Sequence, residues 1–376
     1  MATVKLGDIA IEAKSSNKGD KTGIRIVGLE HLTPSNVTLS SWSEDTENTF
    51  TKEFSKGDVL FGRRRAYLKK AAVAPFDGIC SGDITVIRAI EDKVDPDLLP
   101  FIIQNDFLFE FAVGKSAGSL SPRVKWTHLK EFAIELPSMP EQSKLAETLW
   151  SINETKNAYI DLINKTDELV KSQFIEMFKK CNREKLGEYI LQVRGVSYKP
   201  KDLSEGLKEG FVTLLRANNI ANNVLNFEDV QFVSEGRVSD DQIIREGDIL
   251  ICASSGSLEH VGKAALCMPD MEYTFGAFCK LIRPIGKLYP EYIAGYMRTD
   301  AYRNTISDLA QGSNINNLRN EHINDLMIPI PSDKQQRDFI DLQRQSDKSK
   351  FICLITFNDN LMLSFKSMSI CSRIRT

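Results

Sequence analysis

The sequence predicts an α/β (α+β) fold built twice over, with two long helices alongside the repeated units. Three observations carry that expectation. The first is an internal repeat. "GSLSPRVKWTHLKEFAIELPSMPEQ" at 118–142 and "GSNINNLRNEHINDLMIPIPSDKQQ" at 312–336 hold one register, each matched pair lying 194 positions apart. The second is the order of patterns in each copy, short β-branched runs first and helical spacing after. The third is a pair of helix-start signals at the same place in both copies, Ser138-x-x-Glu141 and Ser332-x-x-Gln335, which have the form of a capping box.

The repeat extends over most of the chain, as internal duplications that fix architecture do. "KLGD" at 5–8 corresponds to "KLGE" at 185–188, "KGDVLFG" at 56–62 to "EGDILIC" at 246–252, and "VIRA" at 86–89 to "LIRP" at 281–284. The offset drifts from 180 to about 194, which places small insertions in the early loops. A chain of 376 residues is long enough for two or three domains, and the duplication selects two. In each copy "GDVLFG" or "GDILIC" reads as a strand opened by a Gly-Asp turn. "DPDLLPFIIQNDFLFEFAVG" and "YPEYIAGYMRTDAYRNTISDLA" read as helical, and "FAIELP" and "LMIPIP" as short strands stopped by proline.

Glycine and proline are absent from 141 to 186, so the first capping box opens a helix of about 40 residues, near 60 Å long. Leu145, Ile152 and Tyr159 lie seven apart, and Leu149, Ile163, Val170 and Met177 keep the same phase. Such a seam asks for a partner helix. The repeat supplies one after 333, with Phe339, Leu342, Phe351, Leu354, Leu361 and Phe365. The divisions expected are 1–138, the helix 139–182, 183–332, and a second helix 333–376. The end of that second helix departs from its copy: "LMLSFKSMSICSRIRT" keeps only Leu361 and Ser364 against Leu169 and Ser172, as a truncated or divergent terminus would.

Composition is that of an ordinary globular protein, 42% hydrophobic and 26% charged with a net charge of −3, so global charge selects no partner. Seven unpaired cysteines, an N-terminus without an apolar signal core and the lack of an unbroken apolar span read as a cytoplasmic protein.

Two variable α/β units, each ending in "[LI]P-x-x-x-x-Q" and a long helix, together with "GDVLFGRRRAYLKKAAVAPFDGICSGDITVIR" and "LPSMPEQSKLAETLWSINETKNAYIDLINKTDELVKSQFIEMF", resemble the specificity (S) subunit of type I restriction-modification systems over nearly the whole chain. The resemblance implies two target recognition domains, each reading one half of a split double-stranded DNA sequence. It implies two helices packed as an antiparallel coiled coil in a pseudo-twofold arrangement, which set the spacing and dock two methyltransferase (M) subunits. Restriction (R) subunits complete the enzyme. The S subunit itself catalyses nothing and holds no cofactor, with S-adenosylmethionine, Mg and ATP expected only on partner subunits.

The motifs agree with a non-catalytic chain. There is no G-x-x-x-x-G-K-[ST], G-x-G-x-x-G or H-E-x-x-H, no Asn/Asp-Pro-Pro-aromatic methyltransferase motif, and no metal-ligand set. DNA contact needs clustered cations for phosphates and polar side chains for base edges. The first unit offers Arg63, Arg64, Arg65 and Lys69 in "GRRRAYLKK", and Ser119, Ser121, Arg123 and Lys125 in "GKSAGSLSPRVKW". The second offers Arg216 in "LLRANN", Ser254, Ser255 and Ser257 in "CASSGSLEH", and Ser313, Asn314, Asn316, Asn317 and Arg319 in "QGSNINNLRNEH". The bland readings are a solvated strand face for the arginines and turn-forming Asn clusters for the second unit. Two other functions compete: a coiled-coil scaffold with two protein-binding domains, and a two-domain enzyme with a site at the repeat interface. The enzyme requires a clustered acid/base or metal set, which the motifs do not supply.

Overall fold

The structure is a computed structural model describing residues 2–17, 19–44, 47–118, 120–268, 272–310 and 316–367, with Asn316 and 351–367 described as backbone only. The chain divides into two compact units, unit 1 holding residues 1–160 with 356–376 and unit 2 holding 161–355. Compactness therefore cuts the chain inside its first long helix, because each half of that helix buries its apolar face in a different core.

Unit 1 is built on a four-stranded antiparallel sheet in the order Ala10–Glu12, Ile84–Ala89, Val59–Gly62, Ala71–Val73. Val59–Gly62 is buried on both faces, which is why the sequence shows a continuous apolar run instead of an alternating one. A smaller sheet pairs Gly78–Cys80 in parallel with Arg25–Val27 and antiparallel with Lys52–Phe54. Helices Leu99–Ile103 and Asp106–Gly114 cover the main sheet. Strand Ala133–Leu136 returns to pair with Ala2–Lys5, so the first and last strands of the unit close it.

Unit 2 repeats the frame. Its main sheet runs Ile190–Arg194, Cys279–Pro284, Ile249–Cys252, Ala264–Leu266. Tyr273–Phe275 again pairs in parallel, here with Phe211–Leu215. Helices Pro290–Met297 and Asp300–Ala310 follow, and Met327–Pro329 closes on Arg183–Lys185. The early part of unit 2 also carries the short strands Leu203–Ser204, Ile220–Ala221, Val224–Leu225 and Gln231–Ser234.

Two buried polar devices recur and explain repeated letters. Asp58 takes both the Nε and an Nη of Arg88 at 2.7 Å, and Asp248 takes those of Arg283 at 2.9 and 2.8 Å. Gln142 and Gln336, the Q of the repeated motif, are buried. Each accepts from a backbone N–H just ahead of the helices that follow the main sheet, Asp95 at 3.0 Å and Tyr289 at 2.9 Å, and donates to a carbonyl, Pro137 at 3.0 Å and Lys287 at 3.2 Å. They clip each long helix to its own unit. In both capping boxes the acidic or amide side chain accepts from the serine N–H, at 3.0 Å in each.

The central helix spans Met139–Phe178, 40 residues, and the C-terminal helix Asp333–Ser367, 35 residues. Leu145, Ala146 and Leu149 pack into the unit 1 core. In unit 2, Val170, Phe174 and Phe178 enter the core with Phe339 and Ile340. Phe174 and Phe178 meet Phe339 edge-on at 5.2 and 5.7 Å, while farther along Lys350 pairs with Asp167. These partners descend on one helix as they climb on the other, so the two segments run antiparallel. Phe174 and Phe178 fill more of the seam than the expected heptad residues, of which Val170 is buried and Met177 packs at the edge. The side chains of Phe351, Leu354, Leu361 and Phe365 lie outside the described residues. No helix among the described residues is long and apolar enough to cross a membrane.

Candidate nucleic-acid interface

In unit 1 the arginine run does not lie on a strand. The strand ends at Gly62, and Arg63–Arg65 open the loop that returns to Ala71. Arg65 and Lys69 both adopt left-handed backbone, at φ 55° and 51°, a conformation costing a non-glycine residue roughly 1 kcal/mol. They bracket the single turn Ala66–Leu68, which exposes Tyr67 and Leu68. The segment 117–124 is tied to this loop. Arg65 donates its N–H to the Pro122 carbonyl at 2.8 Å, Val124 donates to Arg63 at 3.0 Å, and Arg64 bridges Arg123. Two stretches more than fifty residues apart thus become one surface.

Asp83, which sequence reasoning missed, organises that surface. Its carboxylate accepts from Arg123 Nε at 2.7 Å and from an Arg123 Nη at 3.3 Å, and it lies 3.4 Å from Arg64 Nη1. Arg64 also donates from Nε to Ser121 Oγ at 2.5 Å. The Arg123 hydrogen bond, helped by the charges of Arg123 and Arg64, holds the Asp83 carboxyl below the usual range, so it is ionised at any physiological pH. Lys69 pairs with Asp106 at 2.6 Å. Arg65 and Lys125 are exposed, and their side chains have no partner among the described residues. Ser119 lies outside the described residues.

In unit 2 the strand Ser254–Ser255 pairs with Asn316–Asn317, Ser254 opposite Asn317. The two polar stretches nominated separately again come together. The Ser254–Ser255 strand opens onto a pocket of about 800 Å³ lined also by Tyr198, Arg216, Asn218 and Phe278 among others. Arg216 is turned toward Asp229, donating from Nη2 to its carboxylate at 2.8 Å, and Asn218 donates to the same carboxylate at 2.9 Å. Ser257 is exposed on the following loop, its N–H donating to Ser255 Oγ at 3.2 Å. Arg319 folds back on its own short helix, contacting His322 Nε2 at 3.0 Å and Glu321 at 3.0 Å. Burial and the Arg319 charge push the His322 imidazole below its ordinary value. Ser313 and Asn314 lie outside the described residues.

The two surfaces occupy the same backbone positions. Arg63 N–H donates to the Asp83 carbonyl, and Ala253 N–H to the Phe278 carbonyl, at 3.0 and 2.9 Å. Val124 N–H donates to the Arg63 carbonyl, and Leu318 N–H to the Ala253 carbonyl, at 3.0 and 2.8 Å. Arg64, Asp83 and Arg123 therefore stand where unit 2 has Ser254, Phe278 and Asn317. A charged triad in one unit is replaced by two small polar groups and a phenylalanine that is 68% exposed. Aligning "SGDITVIR" at 81–88 with "GAFCKLIR" at 276–283 would have set Asp83 opposite Phe278 from sequence alone.

Among the described residues no three His, Cys, Asp or Glu side chains cluster to hold a metal. Desolvation pushes the buried thiols up, Cys80 and Cys267 to about 12, so neither supplies a thiolate nucleophile.

One frame used twice, with a shared buried scaffold and divergent polar loops, defines a protein of two tandem repeats. The family model for the type I restriction modification DNA specificity domain matches residues 1–172 and again 185–352, and the chain belongs to that family, carrying its domain in two copies. It is 40% identical over 145 residues to the type I restriction enzyme StySPI specificity subunit of Salmonella potsdam, an alignment covering 39% of this chain and 31% of that protein. It is 38% identical over 165 residues to the EcoKI specificity subunit of Escherichia coli K12, covering 42% and 36%. The chain thus matches about a third of the length of these curated relatives. The fold resembles the type I restriction-modification S subunit from M. genitalium, with a TM-score of 0.53, 12% identity and 96% and 93% of the two chains covered. It also resembles a chain from a study of assembly and conformational transition in the type I R-M system, with a TM-score of 0.51 and 19% identity over 96% and 95%.

Proposed function

We propose that the protein is the non-catalytic DNA sequence-recognition subunit of a type I restriction-modification complex, with each unit reading one half of a bipartite double-stranded DNA target. The observation that supports this most is the pairing of one frame with two chemistries. Three equivalent backbone positions carry Arg64, Asp83 and Arg123 in unit 1, and Ser254, Phe278 and Asn317 in unit 2. Base readout depends on such side chains, while the scaffold only presents them.

On this reading the loops of unit 1 combine phosphate neutralisation with base contact. Six cations, Arg63, Arg64, Arg65, Lys69, Arg123 and Lys125, meet two carboxylates, Asp83 and Asp106, which leaves a local positive surplus that the net charge of the chain conceals. Unit 2 relies on neutral donors and acceptors, suited to base edges and weaker on phosphates. The long helices set the distance between half-sites and dock methyltransferase subunits, with restriction subunits completing the complex. On the central helix Leu162 and Leu169 lie seven residues apart, 50% and 53% exposed, away from the buried Phe174 and Phe178. An exposed apolar pair on one face of a helix suits a partner protein. Methyl donor, nucleotide and metal belong to the partner subunits.

The test is an exchange of residues 205–331 for the equivalent region of another family member, followed by mapping of methylated adenines in cells carrying the complete system. One half of the methylated sequence is expected to change and the other to stay. Change in both halves, or in neither, would overturn the modular reading.

A further inference from the structure

We propose that the backbone position occupied by Asp83 in unit 1 and Phe278 in unit 2 determines half-site specificity, Asp83 by aiming Arg123 at a guanine and Phe278 by touching a thymine methyl group. The inference rests on the reading of the chain as a DNA-specificity subunit, and adds to it two residues and the bases they select.

The argument begins with the guanidinium of Arg123, which carries five N–H donors in a planar fork. Asp83 engages one edge, taking Nε–H at 2.7 Å and one hydrogen of Nη2 at 3.3 Å. Nη1 has no partner among the described residues, and the second hydrogen of Nη2 points away from the carboxylate. The end-on edge of the fork is therefore presented outward as two parallel donors. That is the pattern the O6 and N7 acceptors of guanine require in the major groove. Arg64 is less suited, because its Nη1, on the end-on edge, lies 3.4 Å from the Asp83 carboxylate. Without Asp83 the Arg123 side chain, 43% exposed, would be free to rotate, and its donors would be shared between phosphates and water. Asp83 is in this sense a positioning residue. It touches no base.

At the same position unit 2 has no carboxylate and no arginine to aim. Phe278 projects its ring at 68% exposure, beside Ser254 and Ser255 at the mouth of the pocket. An exposed phenylalanine ring carries no hydrogen-bond donor for a phosphate. Apolar contact with the thymine C5-methyl is the base-edge interaction open to phenylalanine.

The experiment uses the full chain assembled with its methyltransferase subunits, methylating a DNA library randomised in both half-sites, with wild type, Asp83→Ala, Asp83→Asn, Arg123→Ala and Phe278→Ala compared. Arg123→Ala is expected to relax preference for one guanine by about ten- to a hundred-fold, the range for a bidentate pair. Asp83→Ala is expected to relax the same base pair to a lesser degree, with Asp83→Asn recovering part of it. Phe278→Ala is expected to relax a thymine in the opposite half only. The proposal is overturned if Asp83→Ala and Arg123→Ala act on different base pairs. It is also overturned if Phe278→Ala acts in the same half, or if all variants lower methylation of every sequence equally. Arg123 and Phe278 are exposed, so their variants decide the matter even where Asp83→Ala does not assemble. A wild type showing no split preference would instead remove the function on which the inference stands.

Discussion

Asp58 and Asp248 show how one repeated contact acquires different weight in its two settings. Both carboxylates are 2% exposed, but the side chain of Arg88 is 43% exposed and that of Arg283 14%. Removing Asp248 strands a buried guanidinium, whereas removing Asp58 leaves one that water reaches. Asp248→Ala should cost about 3–5 kcal/mol, and Asp58→Ala about 1–3 kcal/mol. Urea unfolding checks this. All three tryptophans, Trp42, Trp126 and Trp150, lie in unit 1, so their fluorescence follows the Asp58 variant while circular dichroism follows the other. Equal costs would show that arginine burial is not the deciding factor. Arg65 and Lys125 differ from Arg123 in having no carboxylate to orient them, which fits them for phosphates. Replacing either by alanine should lower the salt slope of DNA binding by about 0.9 and leave the methylated sequence unchanged. A shift in that sequence would reassign the residue to base reading. At this scale the sequence named Arg64 and Arg123 but not Asp83. A single acid outside the basic runs gains meaning only when the fold lays it across two of their guanidiniums.

The long helices were legible as elements because their signals are local. Capping boxes at Ser138 and Ser332, heptad spacing and the lack of helix breakers act within a few turns. What each helix packs against was less legible. Val170 and Met177 belong to the expected seam, but the contact between the two helices in unit 2 centres on Phe174, Phe178 and Phe339, with Tyr292 stacked on Phe174 at 5.4 Å. Large rings reach past the ideal heptad geometry, so side-chain size overrides phase. The repeated glutamines show the same limit. The repeat marks Gln336 without saying what it touches; it is buried between the Tyr289 N–H and the Lys287 carbonyl. Gln336→Ala should destabilise unit 2 by about 1–3 kcal/mol, the cost of leaving both backbone groups unpaired. Thermal or urea unfolding will read it, and a change below about 0.5 kcal/mol would mean that water replaces the amide.

The whole molecule is two units that share a frame and differ in their loops, and the proposed function rests on that difference. Offset arithmetic on the sequence was enough to determine the duplication, and local pattern to place a β-rich stretch before a helical one in each copy. Those features depend on short-range pattern, or on identity repeated at a fixed distance. Only the tertiary structure decided that the loops around 63–69 and 117–125 form one surface, that 254–255 and 316–317 pair, and that Asp83 and Phe278 stand at one equivalent position. It also decided that the compact units divide within the central helix, at Ile160 and Asp161, where its sequence has no breaker. The physical reason is common to all of these. Hydrogen bonds between distant backbone segments and the burial of one helix face in two different cores are long-range choices, set by which surfaces exclude water together and not by the residues next along the chain.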